Sequence, residues 1–118
     1  MKEFVFLIRI SPEQLSPDLV AQLGKSWQPL ISGWMEQNLL VSSLIFREWG
    51  ILLSSGGKAE QTYLREQDDV LTGCFVLKAD DLAGATALGK AFPTLGIGGT
   101  VEIRELQKIN NDKIFKNV

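Results

Sequence analysis

Gly73-Cys74-Phe75-Val76-Leu77-Lys78-Ala79-Asp80-Asp81-Leu82, followed by Pro93-Thr94-Leu95-Gly96-Ile97-Gly98-Gly99-Thr100-Val101-Glu102-Ile103-Arg104, reads as strand, capped helix, strand. The apolar run over 70–78 predicts the first of these strands, since β-branched and aromatic side chains suit a pleated surface. Asp80 is placed to cap a helix over 81–91, on which Leu82, Ala85, Leu88 and Gly89 share one side. Gly98-Gly99 then releases the chain into a strand over 100–106.

Working back toward the start of the chain, Phe4-Val5-Phe6-Leu7-Ile8-Arg9-Ile10 is apolar on both faces and ends at Ser11-Pro12, the pattern of a central strand. Ser16-Pro17-Asp18 combines an N-cap, a proline at the first helical position and an acid in the first turn. Leu19, Leu23, Trp27, Leu30 and Trp34 form one apolar stripe, which predicts a helix over 17–38. Pro29 lacks an amide hydrogen and crowds the carbonyl of Lys25, so a kink or a division in two is expected there. Trp49-Gly50-Ile51-Leu52-Leu53-Ser54 reads as the second strand and Ser55-Gly56-Gly57-Lys58 as the loop after it, while the polar stretch 59–69 takes no assignment. The order is β-α-β-β-α-β, an α+β, ferredoxin-like sandwich with an antiparallel sheet.

Two helices on one face of such a sheet leave the other face to be solvated or covered. With Val101 and Ile103 under the helices, Thr100, Glu102 and Arg104 share the open face, where the first strand still presents either Val5 and Leu7 or Phe4 and Phe6. Apolar surface left in water costs about 25 cal/mol per Å². A homodimer, sheet against sheet, is therefore expected.

The composition narrows the function. The chain has 118 residues, 45% of them hydrophobic and 22% charged, and a net charge of −2, which suits one domain without a field to attract phosphate backbones. Nucleic acid is not an expected partner. There is no histidine, the commonest general acid or base, and the single Cys74 forms neither an internal disulfide nor a Cys-His pair. No metal and no cofactor is implied; Asp68-Asp69 and Asp80-Asp81 lack the further oxygen ligands of a hard-cation site. Without a signal-peptide pattern or an apolar stretch of about 18 residues, no membrane association is expected and a cytoplasmic location is the default.

Met1-Lys2-Glu3-Phe4-Val5-Phe6-Leu7-Ile8-Arg9, the pair Trp27 and Trp34, Val70-Leu71-Thr72-Gly73-Cys74-Phe75-Val76-Leu77-Lys78-Ala79-Asp80-Asp81-Leu82 and Gly98-Gly99-Thr100-Val101-Glu102-Ile103-Arg104 together resemble the YCII-related family in order and spacing. The resemblance implies a ferredoxin-like domain over 1–106, followed by a C-terminal tail over 107–118. It also implies pairing through the sheets into a dimeric α/β barrel around a small-molecule cavity. Glu66 matches an acid of the family, whereas the Asp-Gly-Pro-Phe turn of relatives is replaced by Gln61-Thr62-Tyr63-Leu64. Some relatives have a histidine and an aspartate proposed to perform acid–base chemistry, including one that removes chloride from a hydroxylated aromatic ring. With no histidine here, no catalytic residue carries over.

Arg9, Glu66, Glu102 and Arg104 are the candidate ligand-binding residues. Arg9, Glu102 and Arg104 lie on strands expected to be neighbours, where an arginine fork would suit a carboxylate or phosphate; the competing reading is a plain cross-strand ion pair. Trp27 and Trp34 line either a pocket or the core. Three functions follow: a homodimer binding a small anionic or aromatic metabolite between sheet and partner; a lyase- or isomerase-type enzyme using Glu66, Asp69 or Glu102 as base and an arginine for the oxyanion; and RNA binding, which the acidic balance and the lone Phe75 in the third strand disfavour.

Overall fold

In the computed structural model, Phe4, Phe6, Ile8 and Ile10 of β1 (Lys2–Ile10) are 1, 0, 4 and 4% exposed, while the intervening Glu3, Val5, Leu7 and Arg9 are half-buried. A strand turns successive side chains to opposite faces, so β1 has a sealed side and an open one. The structure describes residues 1–11, 13, 16–46, 49–63, 65–66 and 69–107, without the side chains of residues 20, 49, 62, 63, 65, 66 and 69. The C-terminal tail expected over 107–118 lies, beyond Gln107, outside the described residues.

After β1 come α1 (Pro17–Glu36), β2 (Leu40–Ile45), β3 (Trp49–Ser54), β4 (Lys58–Tyr63), β5 (Arg65–Glu66), β6 (Asp69–Ala79), α2 (Leu82–Gly89) and β7 (Thr100–Glu105). The main sheet has the order β2-β6-β1-β7 with antiparallel neighbours, and β5 adds onto the start of β6. Among the described residues β3 and β4 pair only with each other. The fold is α+β, with a mostly antiparallel sheet that stays open within one chain.

The second strand of the main sheet is Leu40–Ile45 and not the expected 49–54, which instead forms the first arm of the separate hairpin. The end of α1 sets this up. Asn38 adopts a left-handed φ of 57°, its amide donates to Met35 O at 3.1 Å, and the Leu39 amide donates to Trp34 O at 2.9 Å. This Schellman arrangement turns the chain straight back into an extended strand. At the other end Ser16 caps α1 through Leu19 N, 3.3 Å from its hydroxyl, with Pro17 at the first position as expected.

Pro29 does not divide α1, which runs as one helix of 20 residues. Pro29 is exposed, so the Lys25 carbonyl that loses its intrahelical donor lies on the solvent side, where water satisfies it. The cap of α2 also differs by one residue: Asp81, not Asp80, accepts from Gly84 N at 2.8 Å. The helix accordingly starts at Leu82, which is 58% exposed rather than on the buried side, while Ala85 is fully buried.

Both helices cover the Phe4–Phe6–Ile8–Ile10 face. Trp34, Phe75, Leu77, Ala85 and Phe92 complete its core, and Leu23, Trp27, Val101 and Ile103 pack against them. The aromatic groups interlock: Phe6 stacks on Phe92 with centroids 5.3 Å apart, and Trp27 stacks on Phe75 at 4.8 Å. Gly73 on β6 permits a close approach, since a Cβ there would sit 2.5 Å from Leu44 O of β2.

Candidate functional site

The register places Leu7 between Cys74 and Glu102, and Val5 between Val76 and Arg104, on the face away from the helices. Arg9 lies on that face too, and its Nη1 donates to Glu102 Oε1 at 2.9 Å. Arg104 Nε donates to the other oxygen, Glu102 Oε2, so one carboxylate bridges two guanidinium groups. The hydrogen bond from Arg104, then its charge and that of Arg9, outweigh desolvation and hold the Glu102 carboxyl below its ordinary value. A carboxylate kept ionised in this way is a poor general base at neutral pH.

Three of the four sequence-selected residues are therefore brought together, in the ion-paired arrangement. The fourth, Glu66, belongs to β5 and pairs with Asp69 through the backbone; the side chains of both lie outside the described residues. Burial pushes the Cys74 thiol up, so it stays protonated at neutral pH and fills space on its strand. Among the described residues no group of three or more His, Cys, Asp or Glu is placed to hold a metal ion, and no helix is long and apolar enough to cross a membrane.

A second site, not chosen from the sequence, lies on the opposite face. A half-open cavity of about 250 Å³ separates α1 from the sheet. Its floor is Ile8, Ile10 and Phe75, its roof Leu23, Trp27 and Ile31. Gly24 of α1 and Gly73 of β6 also line it, and neither has a side chain with which to fill it; a Cβ on Gly24 would meet nothing within 4 Å. Thr94, in the 3-10 turn Pro93–Ile97 before β7, forms part of the wall. Trp34 belongs to the core at 4% exposure, whereas Trp27 serves both core and cavity.

The cavity was hidden from sequence reasoning because its walls come from five separate segments. Besides Trp27, read above as lining either a pocket or the core, the signal was Gly24, a residue without a side chain beside Leu23 in an otherwise well-formed apolar stripe. An open hollow of about 750 Å³ at the far end of the sheet, bordered by Lys2, Glu3, Lys78 and Glu105, is less suited to a small molecule. Lys2 there is paired with Glu105 at 3.2 Å and both are more than half exposed. In comparison with known proteins, no family model and no curated protein matches the chain.

Proposed function

We propose that this chain is a YCII-related protein of ferredoxin-like fold that acts as a homodimer and binds a small anionic or aromatic molecule. The apolar cavity between α1 and the sheet carries this reading, because a preformed hollow with an aromatic wall is the usual form of a small-molecule site. The strand order β2-β6-β1-β7, with both helices on one face, supports the fold. Val5, Leu7 and Val76 on the open face, together with Leu44 at 53% exposure, support pairing of two copies through that surface.

An NMR titration with indole tests the binding. Saturable shifts at the Trp27 ring and the Gly24 amide are expected, and Gly24→Phe, which fills open space on a well-formed helix, should abolish them while leaving the chain folded. No shift in the native protein would overturn the cavity reading. Light scattering should give twice the chain mass, and a monomer at micromolar concentration would overturn the dimer.

A further inference from the structure

We infer that the cavity takes an uncharged one- or two-ring aromatic molecule bearing a single hydrogen-bonding group, with Thr94 Oγ1 as the protein's partner for that group. This rests on the reading of the cavity as a ligand site and decides between the anionic and the neutral ligand.

Three observations support it. The first is the lining: beside the Trp27 indole N–H, its polar side chains among the described residues are the hydroxyls of Thr72 and Thr94, and Thr72 Oγ1 is already engaged with Ile8 O at 3.2 Å. Among the described residues no cation lines the cavity. Arg9 lies between Ile8 and Ile10 on β1 and so faces the other side of the sheet, where it holds Glu102, while Lys25, beside Gly24, is exposed and outside the lining. A carboxylate or phosphate entering here would lose its hydration without a counter-charge.

The second observation is Thr94 itself. It is 1% exposed, and its Oγ1 has no hydrogen-bond partner among the described residues. A buried hydroxyl in that state is costly, and such groups are rare enough in folded proteins to call for a reason. A hydroxyl both donates and accepts, and its χ1 has alternative staggered wells, so one rotation presents it to a molecule lying against the wall. A ligand hydroxyl, carbonyl or ring nitrogen would satisfy it.

The third is size and shape. An apolar cavity of about 150 Å³ is enough for benzene. A volume of about 250 Å³ beside the Trp27 and Phe75 rings leaves room for one or two fused rings.

The test compares naphthalene, 2-naphthol and 2-naphthoate by NMR titration of the full chain at pH 7, with Thr94→Val, Thr94→Ser and Gly24→Phe alongside. 2-Naphthol should bind at least roughly 10-fold more tightly than 2-naphthoate, because the described lining offers no counter-charge. Thr94→Val should weaken 2-naphthol by roughly 2- to 12-fold, the span of one neutral hydrogen bond, and leave naphthalene unchanged. Thr94→Ser, which keeps the hydroxyl, should retain the preference for 2-naphthol. If Gly24→Phe blocks all three probes but 2-naphthoate binds best, or Thr94→Val changes none of them, this inference falls and the cavity remains a ligand site. If no probe shifts the Trp27 ring, the cavity reading falls and this inference with it.

Discussion

Phe6 and Leu7 are consecutive residues of one central strand, yet Phe6 is wholly buried beneath the helices and Leu7 is half-buried on the far side between Cys74 and Glu102. The helix side is sealed by interlocked aromatic rings and contains a hollow lined in part by Gly24. The far side combines a few aliphatic side chains with a carboxylate bridging two arginines. The sealed side thus has the form of a core with a hollow in it, and the open side that of a mixed aliphatic and charged surface. The largest expected effect separates them directly. Phe6→Ala should cost about 3–5 kcal/mol in urea unfolding, since it removes a ring from a close-packed cluster. Leu7→Ala should cost under about half of that in dilute solution, and equal losses would mean that the two faces are packed alike.

The next effect concerns how β2 is held to the sheet. Gly73→Ala would place a methyl 2.5 Å from Leu44 O, a backbone atom that moves only if the strand does. A cost of about 1–3 kcal/mol is expected, with weakened amide-exchange protection at Phe46, whose amide donates to Thr72 O, ahead of β1. Uniform loss of protection would indicate that β2 is not a separable edge.

Comparing the same regions shows where the sequence was readable. The cap Ser16-Pro17-Asp18 and the strand at 70–78 were legible because their signals are local: a hydroxyl, a fixed φ and a β-branched run. β2 was not, because Val41-Ser42-Ser43 breaks the alternation and the register shifts between Leu40 and Ser42. Ile51, Leu52 and Leu53 attracted the assignment instead, although they are 59, 54 and 69% exposed on a hairpin outside the main sheet. Which half of β1 faced the helices was equally undecidable, since Phe4-Phe6 and Val5-Leu7 are both apolar sets. The meeting of Arg9, Glu102 and Arg104 followed from strand adjacency, whereas the cavity depends on a gap between packed elements that no spacing encodes.

A smaller effect, of opposite sign, belongs to the sealed face. Thr94→Val replaces a buried hydroxyl that has no partner among the described residues with a methyl of nearly the same shape. Stability should rise by about 1 kcal/mol in the absence of any ligand. A fall of similar size would show that the hydroxyl has a partner within the folded chain, and would make Thr94 a structural residue.

The smallest effect is the one that depends on pH, and it belongs to the open face. Glu102 has its carboxyl held below the ordinary value of 4.5 by Arg104 and Arg9. A lowered folded-state value means that the unfolded chain takes up the proton first, so the contribution is fully present above pH 4.5 and is lost as the pH falls through the folded value. Arg104 is 71% exposed and Glu102 34%, so solvent and salt screen the cluster and the effect is small. Unfolding midpoints of the native protein and Glu102→Gln, measured from pH 7 to pH 3 at low salt, should therefore differ most at pH 7 and converge toward acid. A gap that widens toward acid would reverse the sign and mean that the carboxyl is better tolerated neutral, as expected if the open face is desolvated more strongly than it is charged. Convergence that vanishes in high salt would instead assign the effect to the arginine charges, leaving the open face without the tight desolvation that characterises the sealed one.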